Sequence, residues 1–130
     1  MTALPPPIAV VSSIGERSGP PGPVGFGHLQ IVRLLRQVSA VGEDPSKVLR
    51  FKGVPFSRGT KAKSVTIRFV DQPEAPVPQF DAEHGVIDLG YPSSALNEVR
   101  DLLRSGRERF CYFWKSADGS GRRAWIMASP

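Results

Sequence analysis

The sequence predicts an α+β domain, a twisted antiparallel sheet of five or six strands carrying two helices. Three observations lead there. Residues 48–52 and 64–69 alternate apolar and polar side chains with the period of a β-strand on either side of a loop. A second such pair, Arg109 to Lys115 and Arg122 to Ala128, flanks the turn-forming run SADGSG. Gly and Pro, 13 of each in 130 residues, favour turns and short strands over long helices. A helix leading into a curved meander also suits closure into a small barrel of SH3-like or Sm-like type, an analogy of architecture that carries no function.

In chain order, residues 1–27 hold six prolines and five glycines and read as an extended N-terminal arm. Within it, Ile8 to Ile14 is a candidate edge strand, against this chain or another subunit. Residues 28–130 form the domain. His28 to Val41 is predicted to be the first helix: Ile31, Leu34, Leu35 and Val38 recur at helical spacing, Gln30, Arg33 and Gln37 lie opposite, and Gly42 is a natural stop.

The hairpin follows. Leu49 and Phe51 on its first strand, and Val65, Ile67 and Phe69 on its second, form one apolar face. The loop between, from Gly53 to Lys63, is expected to be exposed and mobile. Asp71 to Gln79, with three prolines, is a connector, and Phe80 to Leu89 reads as two short strands around Glu83, His84 and Gly85. Ala95 to Ser105 is the second helix, capped by Ser93 or Ser94, with Leu96, Val99 and Leu103 as its buried stripe. In the last hairpin Phe110, Tyr112 and Trp114 face one way, Cys111 and Phe113 the other. A strand apolar on both faces is central in its sheet or has a partner on its second face.

Charge supplies the functional argument. The net charge is +5, which makes an anionic partner worth testing. Between Ser46 and Val70 stand Lys47, Arg50, Lys52, Arg58, Lys61, Lys63 and Arg68 without one acid; from Asp71 to Gly90 stand Asp71, Glu74, Asp81, Glu83 and Asp88 without one base. Pairing of the hairpin puts Arg50, Lys52 and Arg68 on one outer face, where like charges repel and want anions nearby. Arg100, Arg104 and Arg107 make a secondary basic ridge on the second helix.

Enzyme signatures are not found. Ser57 to Lys61 (SRGTK) lacks the spacing of a phosphate loop and does not open a helix. Cys111, the single cysteine, has His28 and His84 as distant partners but stands mid-strand among aromatics, where a thiol is inert packing. Asp81, Glu83, His84 and Asp88 read as solvated turn residues, so no metal, cofactor or small-molecule substrate is expected. No apolar run reaches the length of a membrane span. The expectation is therefore a cytoplasmic, non-enzymatic binding module. Its phosphate contacts would come from Arg50, Lys52, Arg58, Lys61, Lys63 and Arg68, with Tyr112, Phe113, Trp114 or Trp125 as stacking faces for RNA or another nucleic acid. The rival expectation is a self-assembling structural or protein-interaction module, a homo-oligomer in which basic and acidic blocks meet.

Overall fold

The structure, a computed structural model, describes residues 12–13, 27–38, 41–71, 77–117 and 121–129. Its strands are β1 (Ser12–Ser13), β2 (Gly27–Val38), β3 (Val48–Pro55), β4 (Ser64–Val70), β5 (Gln79–Asp81), β6 (Val86–Pro92), β7 (Arg109–Ser116) and β8 (Arg122–Ala128), with one short helix, α1 (Leu96–Leu103). They form a single curled sheet in the order β1-β8-β7-β2-β3-β4-β6-β5, and the sheet is nearly barrel-shaped. The architecture is thus sheet-dominated, as the sequence predicts, with more strands and one helix fewer.

The missing helix is the first correction. The described residues between His28 and Val41 contain no helix; Gly27–Val38 is β2, the longest strand described. The true period is two. Gln30, Val32 and Leu34 are buried, whereas Leu29 and Leu35 are exposed. Apolar residues on both faces of one strand mimicked a helical stripe, and β-branched Ile31, Val32 and Val38 suit the extended backbone. Pairing along both edges holds the strand: β2 pairs with β7 along Gly27–Leu34 and with β3 along Val32–Val38, joining the two hairpins. The β3 register slips between Leu34 and Arg36. Beside that slip the backbones approach so closely that a Cβ on Gly53 would sit 2.3 Å from Val32 Cγ1 and 2.7 Å from the Arg33 carbonyl oxygen. Only glycine fits there.

The second correction is to the purely antiparallel sheet. β4 and β6 run parallel, from Ser64 beside Val86 to Val70 beside Pro92. The chain leaves β4, crosses to β5 at the far edge, and returns through the Asp81–Gly85 turn to lay β6 between them. A parallel pair requires such a crossover. Gly85, with φ +69°, makes the turn possible.

Both hairpins form as expected: Leu49 opposes Ile67 and Phe51 opposes Val65 in β3–β4, and Tyr112 opposes Trp125 in β7–β8. Strand β7, apolar on both faces, is indeed interior to the sheet. The core packs inside the curl. Val32, Ile67, Ile87 and Leu89 are essentially inaccessible, each side chain contributing about 1.5–3 kcal/mol. The edges meet through side chains: the Ile126 N–H of β8 donates to the Tyr91 hydroxyl of β6 at 3.1 Å, and Arg122 of β8 donates to Gln79 Oε1 of β5 at 2.6 Å.

α1 buries Val99, Leu102 and Leu103 and follows a 3-10 turn at Ser93–Ala95. No side chain caps it; the Ser93 hydroxyl donates instead to Asp71 Oδ1 at 2.7 Å. In the arm, Ser12–Ser13 pairs with Ala124 and Arg123 of β8 in the same chain. The rest of the proposed Ile8 to Ile14 strand lies outside the described residues.

Candidate nucleic-acid interface

The end of the barrel where β2 and β8 begin is an open mouth, a cleft of about 400 Å³. Its cationic rim follows from strand register. His28 of β2 lies opposite Lys115 of β7, and Lys115 lies opposite Arg122 of β8. All three share the inward face of their strands with Gln30 and Phe113, one row deeper. Lys61, from the β3–β4 loop, completes the rim. Like charges directly opposed across strands are unfavourable, and among the described residues no carboxylate lines this cleft. Arg122 is held by Gln79; the floor is aromatic, with Phe80 half-buried and its ring 6.0 Å from that of Phe113.

Two buried polar side chains place Lys61 on this rim. Gln30 Oε1 accepts from the N–H of Lys61 at 2.7 Å and of Ala62 at 3.2 Å. Thr60 Oγ1 accepts from the Ile31 N–H at 3.0 Å and shares a 2.6 Å hydrogen bond with Ser57. The loop is therefore fastened to β2. Its cations Arg58, Lys61 and Lys63 are exposed as expected, but Thr60 and Ala62 are buried.

The other proposed cations do not gather here. Arg68 donates to both carboxylate oxygens of Asp88, at 3.0 and 3.1 Å, and Asp88 holds its guanidinium above the ordinary arginine range. Arg50 pairs with Glu43 at 2.6 Å and roofs Thr66, directly opposite it in register. Lys52 and Lys63 border a shallow groove with Leu35 and Arg36. Of the ridge, Arg100 and Arg104 line a separate cleft beside α1, whereas Arg107 donates to the Ser129 carbonyl. Among the stacking candidates, Phe113 and Trp125 are buried, Tyr112 stacks on Trp125 at 5.1 Å, and Trp114 is half-buried. His28, Phe80, Lys115 and Arg122 were missed from sequence, although a hairpin of Arg109 to Lys115 with Arg122 to Ala128 already sets Lys115 against Arg122.

At one lip of the mouth is the acidic turn. Ligand-capable atoms of Asp81, Glu83 and His84 lie within 4.8 Å of one another, closer than their sequence spacing suggests, and all three residues are exposed. Asp81 is occupied by the turn itself: it accepts from the N–H groups of Glu83 and His84, and its Oδ2 pairs with His84 Nδ1 at 2.7 Å. Cys111 is buried at the sheet centre, and desolvation pushes its thiol pKa up, away from nucleophilic chemistry. No helix among the described residues is long and apolar enough to cross a membrane.

Comparison of the chain with protein families, with curated proteins and with solved structures returned no match.

Proposed function

We propose that this protein is a non-enzymatic module that binds single-stranded nucleic acid, RNA foremost, at the open mouth of the barrel. The observation that carries the reading is the opposed cation pair Lys115 and Arg122, joined by Lys61 and flanked by His28, around a half-buried aromatic floor. Phosphates relieve the opposed charges, and one unpaired base finds a face on Phe80. Arg58, exposed on the same loop, extends the contact along the strand. A duplex offers no free base to this recess, which favours single strands.

The rival reading, assembly through complementary charge blocks, draws less support. Arg68 with Asp88, and Arg50 with Glu43, already neutralise part of the basic face within one chain.

Fluorescence anisotropy with labelled single-stranded oligonucleotides at low salt tests the proposal. Wild type binds with an affinity that falls as salt rises. Combined Lys61→Ala and Lys115→Ala lowers the affinity about tenfold and reduces the salt slope by roughly 1.4, two phosphate contacts on a single strand. An unchanged slope in that variant removes the mouth as the binding site.

A further inference from the structure

The opposite end of the barrel carries four arginines that the mouth does not use. Arg36 near the end of β2, Arg100 and Arg104 on and just after α1, and Arg109 at the start of β7 line a cleft of about 290 Å³, walled by Phe51 and Leu103. It lies roughly 25 Å from His28, the span of β2 between them at about 3.3 Å per residue. We infer that this cleft binds a compact anion of linked phosphates, of inorganic polyphosphate type, independently of the nucleic-acid reading.

The preparation of the site is visible in Arg109. One guanidinium nitrogen donates to the Leu103 carbonyl and another to the Leu35 carbonyl at 3.2 Å, and the group lies 5.8 Å from the Phe51 ring centroid. It is fixed before any ligand arrives, and it satisfies a carbonyl at the C-terminal end of α1 that would otherwise repel an anion. Arg100 reaches only the Pro45 carbonyl, at 3.5 Å. The side chains of Arg36 and Arg104 are exposed and make no hydrogen bond or ion pair with a described residue. Among the described residues no carboxylate lines the cleft; Asp44 nearby is exposed and engaged by Ser46, with Arg100 a minor influence.

Four cations gathered around one cleft repel one another, and an anion between them relieves that repulsion. Arginine forks suit phosphoryl oxygens taken two at a time. The volume sits at the small end of ligand pockets, which run from roughly 300 Å³ upward. That favours neighbouring phosphates without a large organic body.

Isothermal titration calorimetry of the full chain with sodium tripolyphosphate, at fixed ionic strength, tests the inference. Saturable one-to-one binding is expected, tighter than for orthophosphate or sulfate. Arg36→Gln combined with Arg104→Gln weakens it at least about tenfold, the loss expected for charge-assisted contacts. Lys61→Ala with Lys115→Ala, at the other end, leaves it within about twofold. Melting curves establish that each variant folds; should the glutamine pair not fold, Arg36→Lys with Arg104→Lys keeps the charge, loses the forks and weakens binding several-fold. Labelled oligonucleotide in the same variants separates free polyphosphate from nucleic-acid phosphate: the lysine-to-alanine pair weakens oligonucleotide binding and keeps tripolyphosphate. Absence of saturable heat, equal weakening by both pairs of variants, or full affinity in a folded arginine variant overturns it.

Discussion

The two ends of this barrel are both basic and are built in opposite ways. At the mouth, cations stand on strand ends and on a loop, around an opening floored by aromatics. At the far end α1 adds a wall, and the cations are arginines, one of them anchored by two backbone carbonyls. A rim that mixes two lysines with Arg122 suits a ligand that tracks across a surface; four guanidinium forks around one cleft suit a compact one. Net charge alone does not separate these cases. What separates them is which backbone element holds each cation, and how firmly.

Gln30 gives the strongest way to break the comparison. It is buried, and its single oxygen accepts from both Lys61 and Ala62. Gln30→Leu has similar bulk but leaves two donors without an acceptor, costing about 2 kcal/mol or more. Urea unfolding should show that loss. In the folded fraction, oligonucleotide affinity should fall because Lys61 is no longer held on the rim, while tripolyphosphate binding stays at its wild-type value. A variant as stable as wild type would mean that the loop does not depend on this side chain.

The same residue shows why part of the fold was illegible. Helical spacing puts Gln30 on a polar face, because a local pattern cannot say that strands flank β2 on both edges. Leu29, Ile31, Val32, Leu34 and Leu35 match both a helical stripe and a two-sided strand. Only pairing with β3 and with β7, the latter far away in sequence, decides between them. The hairpins were legible because each pairs residues close in sequence and keeps one alternating face, as Leu49 and Phe51 do against Val65 and Ile67. The parallel placement of β6 beside β4 was not, since a crossover leaves no local signature. Charge told a similar story: the basic run was plain, but its division among a mouth, a groove and two ion pairs is a property of register and topology.

A smaller effect comes from the acidic lip of the mouth. Glu83 is exposed, and the turn uses its backbone N–H. Glu83→Gln removes one negative charge beside the cationic rim without touching the turn's hydrogen bonds. Oligonucleotide affinity should rise about twofold at low salt, the scale of one exposed charge interaction, and the gain should vanish as salt screens it. Tripolyphosphate binding at the far end should not respond. A gain that persists at high salt would point to a changed contact instead of a removed repulsion.

The smallest effect is a titration that sets the ends side by side, since each has one exposed aspartate with a lowered pKa. Asp81, at the mouth, is lowered first by the hydrogen bond from the His84 side chain; Asp44, at the far end, first by that from the Ser46 hydroxyl, with Lys47 and Arg100 adding less. A carboxyl lowered in the folded state stabilises above its unfolded value of about 3.9, and that contribution disappears as pH falls through the lower folded value. Both turns should therefore keep their hydrogen bonds through the ordinary carboxylate range and lose them only in stronger acid. Carbon-13 shifts of the two carboxyl groups against pH would report midpoints below that of an unfolded peptide. His84→Ala should return Asp81 towards the ordinary range without moving Asp44, and Ser46→Ala should do the reverse. If either substitution moved both midpoints, the two ends would be electrostatically coupled, and their treatment as separate sites would fail.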